Sequence, residues 1–170
     1  MTGMGGHQGR ALRAGDVLEL GKKEMAPGVF LPAAVEKGSR SHFPQGKLRV
    51  ILADDRLAQH LTGQRFQISP RSDRMGYRLE GGKIAVAPTG ELISTAVPTG
   101  AIQVPPTGEP ILLMNDHATT GGYAIGAVVI AADLPLAGQL APGDSVEFVA
   151  CSLEAADDAL RQREALLDAS

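Results

Sequence analysis

Glycine and proline clusters cut the span from Gly5 to Ala150 into aliphatic and β-branched runs of three to six residues, and this punctuation constrains the fold more than any other feature. Runs of that length suit strands and are too short for helices. The expected strands are Asp16–Leu20, Leu48–Leu52, Arg65–Ile68, Met75–Leu79, Ile84–Ala87, Leu92–Val97, Ile102–Val104, Ile111–Asn115, Ala127–Ala131 and Ser145–Val149. Gly81-Gly82, Pro88-Thr89-Gly90, Pro105-Pro106-Thr107-Gly108 and Gly121-Gly122 separate them and supply the positive or fixed φ that turns demand. Pro105-Pro106 must stand at a strand end or edge, because neither can donate a ladder hydrogen bond. The expected class is all-β, a barrel or sandwich with short helices.

Three segments read as helices. Over Asp54–Leu61, Asp54 is the cap, Leu57, Ala58 and Leu61 recur at helical spacing, and Gly63 is the stop. Over Asp133–Leu140, Asp133 is the cap, Pro135 is tolerated early, and Pro142-Gly143 ends the run. Ser152 opens a C-terminal helix in which Leu153, Ala156, Leu160 and Leu167 approximate an apolar stripe. Leu12–Leu18 and Leu140–Val146 both read as a leucine, a Gly-Asp turn and a strand, a common turn solution used twice. Gly21–Gln45 reads as a long connection or flap, or as a join where part of a larger protein packs. The expected organisation is one domain over 1–151 followed by a helix over 152–170.

Composition narrows the function classes. A net charge of -3 excludes the strongly basic footprint of a dedicated nucleic-acid binder. Aromatics at 4% with no tryptophan give no support to a ring platform for bases or sugars. The single cysteine, Cys151, has no partner for a disulfide or zinc site, which points to a reducing compartment and no metal. No stretch reaches the roughly 18 apolar residues of a membrane span, and Met1–Gly9 lacks the features of a signal peptide. A cytoplasmic protein with no membrane association is expected.

Three polar segments stand out. In Ser69–Gly81, Arg71, Arg74 and Arg78 lie beside Ser72 and Asp73; guanidinium groups bind carboxylate, carbonate or phosphate bidentately. A strand there places Met75, Tyr77 and Leu79 on one face and Arg74, Gly76 and Arg78 on the other. Solvated turn charges are the plainer reading of the same residues. In Asn115–Tyr123, Asp116 and His117 offer acid and base groups, and Thr119-Thr120-Gly121-Gly122 can turn backbone N–H groups toward an oxyanion. His117 alone is more often a structural or surface histidine than a catalyst. In Val97–Gly108, Gln103 either places its amide on a pocket wall, where it reads a urea-like or lactam group, or faces water. The sequence contains no P-loop, G-x-G-x-x-G or G-x-S-x-G pattern.

Several blocks occur together: Gly5-Gly6 with Gly9-Arg10-Ala11-Leu12 and Gly15-Asp16, Ser72–Gly81, Gly100–Pro106, Thr119–Tyr123, and Ala132–Pro135. In that order they resemble the biotin-dependent carboxyltransferase or allophanate hydrolase subunit 2 family, which includes a bacterial 5-oxoprolinase subunit and the carboxyltransferase region of urea carboxylase. The resemblance implies a cyclophilin-like β-barrel and, because family chains carry two lobes, the second lobe only. It implies a component of an ATP-dependent 5-oxoprolinase or of a urea- or allophanate-type amide-metabolising complex, inactive alone, that binds a small lactam or urea-like substrate. The alternative is a non-catalytic regulatory or partner-binding module.

Residue by residue, the resemblance carries over Arg71, Ser72, Asp73, Arg74, Tyr77, Gln103, Asp116, Thr119, Thr120, Gly121 and Gly122 as substrate-pocket candidates, with no individual catalyst. The chain departs from the family pattern at Thr95, Ala118 and Ala124, where glutamate, glutamine and proline are frequent. ATP is implied on a partner subunit, and biotin on a separate carrier in the carboxylase version. The implied partners are the first carboxyltransferase lobe or another subunit of the complex; a homodimer would cover the same face.

Overall fold

A computed structural model describes residues 7–19, 46–85 and 94–168. The chain divides into two units, Met1–Pro32 and Ala33–Ser170. In the second, the elements run β1 (Lys47–Leu52), α1 (Asp55–Leu61), β2 (Arg65–Ile68), β3 (Gly76–Glu80), β4 (Thr95–Ala96), β5 (Ala101–Val104), β6 (Ile111–Leu113), β7 (Thr120–Gly121), β8 (Ala124–Val129), α2 (Leu134–Ala137), β9 (Ser145–Ala150) and α3 (Leu153–Asp168). Seven strands close a barrel in the order β1-β8-β5-β6-β3-β2-β9, and β4 pairs with β7 in a separate ribbon. The barrel pairs are antiparallel except β9 with β1, which run parallel and close it, Leu48 opposite Phe148. This is the cyclophilin-like β-barrel that the resemblance implied.

Alternation along the strands fills the barrel. Leu48 and Val50 of β1, Phe66 and Ile68 of β2, Leu79 of β3 and Val146 and Phe148 of β9 all point inward and are buried. The Phe66 and Phe148 rings meet at 5.9 Å, tilted by 45°. Helix α1 packs Leu57 and Leu61 against this core. Asp54 caps it as expected, its carboxylate accepting from the Arg56 N–H at 2.9 Å. The helix approaches β8 at Gly126, where an added Cβ would lie 2.5 Å from Leu61 Cδ1 and 3.1 Å from Leu57 Cβ.

The two Gly-Asp turns are the same local solution. Gly15 and Gly143 both have φ of 94°, and Asp16 and Asp144 each accept from the N–H three residues back, at 2.7 and 2.8 Å. Only the second leads into a strand. Asp16–Glu19 form none, contrary to expectation, and Leu20 lies outside the described residues. Within its own unit, Asp16 is held by the Arg10 guanidinium at 2.7 Å on both oxygens, which keeps its carboxyl below the ordinary range.

Other expectations are corrected. Ile84 is buried and donates its N–H to the Gly108 carbonyl at 2.9 Å, yet Ile84 and Ala85 lie in no strand; Val86 and Ala87 are outside the described residues. So are the Pro88-Thr89-Gly90 turn, Leu92 and the Gly21–Gln45 connection, leaving Thr95–Ala96 as the strand expected over Leu92–Val97. Strand β6 stops at Leu113, because His117 N–H closes a turn onto the Met114 carbonyl at 3.0 Å. Strand β8 begins three residues earlier than expected, at Ala124, and ends at Val129.

Asp133 does not cap α2 through its side chain. It is 3% exposed and its carboxylate is spent on Arg49, accepting from the backbone N–H at 2.8 Å, Nε at 3.0 Å and the terminal guanidinium nitrogen at 2.6 Å. A forked cation satisfies a buried carboxylate better than one helix N–H does. Helix α2 also ends at Ala137, with Gly138 as its C-cap, rather than reaching Leu140. Ser152 does cap α3, accepting from Ala155 N–H at 3.2 Å. Its inner face is Ala156 and Ala159 against Ile51, Ile130 and Ala132, whereas Leu153 is 74% exposed and Leu167 is exposed as well. Small residues let the helix lie close to β1, and that contact turns two leucines of the expected stripe outward.

Candidate functional site

The site forms on the outer face of β3, β6 and β5. Alternation sends Tyr77 and Leu79 toward the core and leaves Gly76 and Arg78 outside, as the strand reading required. Register then aligns Arg78 with Ile111 of β6, and Ile111 with Gln103 of β5, in one row across three strands. Gly76 sits opposite Leu113 in the next row. Asp73, Met75, Val97, His117, Ala118 and Thr120 complete a pocket of about 250 Å³ above these rows.

Gln103 is the distinctive member. A register shift between β5 and β8 falls at Ile102 and Gln103, and the amide side chain is 6% exposed. Its Nε2 is buried with no hydrogen-bond partner, the one such side-chain atom among the described residues. A buried donor left unmade costs roughly 1–3 kcal/mol, which makes it a place where a ligand gains. Gly121 of β7 lies over it, so close that a Cβ there would fall 2.6 Å from Gln103 Nε2. Of the two readings of Gln103, the pocket wall is the observed one.

The loop before β3 is held from within. Ser72 Oγ accepts from Arg78 N–H at 3.0 Å, and Asp73 Oδ1 accepts from Met75 N–H at 2.9 Å and Gly76 N–H at 3.2 Å. Ser72 and one oxygen of Asp73 therefore shape the rim. Arg71 reaches Glu109 at 3.6 Å and Glu80 at 3.8 Å and does not line the pocket. Arg74 is 91% exposed and pairs with Asp116 at 3.2 Å. Arg74 and Asp116, with Tyr77, line a different groove of about 570 Å³ beside Leu134 and Arg163. Burial raises the Tyr77 phenol above its ordinary value, keeping it neutral.

Thr119, Thr120, Gly121 and Gly122 do not make the expected oxyanion turn. Thr120–Gly121 is strand β7, registered Ala96 to Thr120 and Thr95 to Gly121, and the Thr119 carbonyl accepts from Val97 N–H at 3.0 Å. Pairing uses the backbone that a turn would have pointed at an anion. Thr120 still lines the pocket, and Gly121 crosses Gln103; Thr119 and Gly122 are not among the lining residues.

Two polar lining residues, Arg78 and His117, fall outside the substrate candidates. Arg78 is legible from alternation alone, because it shares a face with Gly76. His117, read from sequence as a structural or surface histidine more often than a catalyst, has both its nitrogens engaged: Nδ1 donates to the Ala118 carbonyl at 2.6 Å, so in the neutral ring Nε2 accepts from Thr99 Oγ1 at 3.3 Å. Its orientation is thereby set at the pocket wall. Among the described residues no group of three His, Cys, Asp or Glu side chains could hold a metal ion, and no helix is long and apolar enough to cross a membrane.

Residues 1–150 match the family described as carboxyltransferase domain, subdomain A and B. A 5-oxoprolinase subunit of Escherichia coli K12 is 47% identical over 55 residues, covering 32% of this chain and 17% of that protein. Its namesake from Haemophilus influenzae is 46% identical over 59 residues, covering 35% and 19%. The crystal structure of Kluyveromyces lactis urea carboxylase superposes with a TM-score of 0.74 at 26% identity, covering 98% of this chain and 17% of that one. The chain thus spans less than a fifth of each of these relatives.

Proposed function

Because the chain belongs to the carboxyltransferase domain family, subdomains A and B, we propose that it supplies one lobe of an amide-metabolising assembly and that its own task is to hold a small lactam or urea-like substrate. The observation that supports this reading is the unpartnered amide of Gln103 in the pocket. A carboxamide has one donor and one acceptor, and a lactam or urea offers the complementary pair whichever way the Gln103 amide is turned. A donor aimed at a substrate carbonyl also stabilises negative charge that develops on its oxygen. Thr120 adds a hydroxyl and His117 an oriented ring on the same wall.

The reaction itself is assigned to the assembly, as an ATP-dependent 5-oxoprolinase or a urea-type carboxylase or hydrolase. Nucleotide handling is assigned to a partner, and biotin to a separate carrier in the carboxylase version, as the resemblance implies. A cytoplasmic location is part of this proposal.

Calorimetry of the chain with 5-oxoproline and with urea, before and after Gln103→Leu, tests the site. The substitution keeps the volume and removes the amide, so binding should be lost while thermal stability holds or rises, since a buried unmade donor disappears with it. Unchanged affinity in the leucine variant would place the substrate elsewhere.

A further inference from the structure

We infer that the β4–β7 ribbon is a lid over Gln103, and that a ligand reaches the Gln103 amide only when the ribbon lifts. For the identity of the ligand this rests on the amide-binding reading above; the lid itself does not. Gln103 lines the pocket, yet its Nε2 is buried and has no partner. What covers that atom is Gly121 of β7, whose bare Cα sits so close that a Cβ there would stand 2.6 Å from Nε2. A ligand atom needs that space to accept from the amide, so the cover must move.

The cover is held by packing alone. The ribbon stands outside the closed barrel, and its pairs are Thr95 with Gly121 and Ala96 with Thr120. Val97 N–H extends it, donating to the Thr119 carbonyl at 3.0 Å. Among the described residues no hydrogen bond joins 94–97 or 119–122 to a barrel strand, so lifting the ribbon breaks none of the barrel ladder. A two-stranded ribbon by itself is marginal in water, and its order depends on the seat.

That seat is small. Thr95, Ala96, Thr119 and Thr120 are exposed, and Val97 is the one apolar side chain that the ribbon buries. Val97 lies outside the core cluster of the barrel, which therefore stays intact when the ribbon lifts. The closed state also leaves the Gln103 donor unmade, a penalty that opening relieves. Motion ends where the barrel begins: Gly100 exchanges bonds of 2.8 Å with the Leu113 carbonyl and Val129 N–H, and Ala124 pairs with Val104. Gly122 and Tyr123, in no strand between β7 and β8, form a joint on one side.

Hydrogen exchange and stopped-flow binding of 5-oxoproline to the full chain test the lid. The amide of residue 97 should exchange by local opening, about tenfold or more faster than the Leu79 and Val129 amides, which are bonded to the Pro110 and Gly100 carbonyls and wait for global unfolding. Val97→Ala removes two methyl groups from the seat and should speed exchange at residue 97 by about a further tenfold, with Leu79 and Val129 unchanged. At high pH, where each opening leads to exchange, residue 97 reports the opening rate, and the 5-oxoproline binding rate should level off there as its concentration rises. Exchange of residue 97 only together with Leu79 and Val129 overturns the lid, and so does a binding rate that climbs past the opening rate. Local opening at residue 97 with no binding of 5-oxoproline overturns the amide-binding reading and leaves the lid standing.

Discussion

Asp133 shows at the residue scale how one carboxylate can tie distant segments together. It joins β1 to the start of α2 through three bonds from Arg49. Breaking a buried pair costs ~3–5 kcal/mol, but the Arg49 side chain is nearly half exposed and solvent recovers part of the loss, so Asp133→Ala should cost about 2 kcal/mol in chemical denaturation. A loss below experimental error would show that the pair is ornamental. Asp54 carries a pH dependence. Its bonds from the Arg56 guanidinium and backbone N–H hold the carboxyl below the ordinary range. A depressed folded-state value means that the cap contributes fully above the unfolded value near 3.9, and the contribution disappears as pH falls through the lower folded-state value. Carbon-detected NMR titration should place the Asp54 midpoint below about 3.9; a midpoint at or above that value would contradict the capping geometry.

At the scale of elements, close approach decides what is tolerated. Helix α1 rests on Gly126 with no room for a methyl group, and Leu61 is fully buried and cannot swing aside. Gly126→Ala should therefore cost about 1–3 kcal/mol, in the range of overpacked cores, and should lower hydrogen-exchange protection first in α1. Stability equal to the parent would show that the helix can shift. Helix α3 behaves differently because its contact is thin, Ala156 and Ala159 on Ile51, Ile130 and Ala132. Truncation after Cys151 should lower stability by about 2 kcal/mol through exposure of those apolar groups, and should leave 5-oxoproline binding intact, since no residue of α3 lines the Gln103 pocket. Lost binding on truncation would mean that α3 supports the site.

For the whole molecule, closure separates folding from activity. The parallel pairing of β1 with β9 completes a barrel with its own core, so Ala33–Ser170 should fold without a partner. The chain nevertheless covers only 17% and 19% of its two 5-oxoprolinase relatives. Purified alone, it should give a cooperative unfolding transition and no ATP-dependent glutamate release from 5-oxoproline. Turnover by the isolated chain would disprove the division of labour.

Local chemistry was legible in the residues themselves. Alternation placed Arg78 opposite Tyr77, Asp54 and Gly63 bounded α1, the Gly-Asp turns repeated one solution, and ordered motif blocks indicated the family and hence the barrel. Each depends on backbone conformation within a few neighbours. What remained open was every choice between two partners. Asp133 could cap a helix or bind Arg49, Thr120–Gly121 could turn or pair with β4, and Gln103 could face water or a pocket. Those outcomes hang on strands far apart in sequence, and only the closed register brings Arg78, Ile111 and Gln103 into one row. Sequence determined which side each residue of a strand would face; tertiary structure decided what stood on that side to meet it.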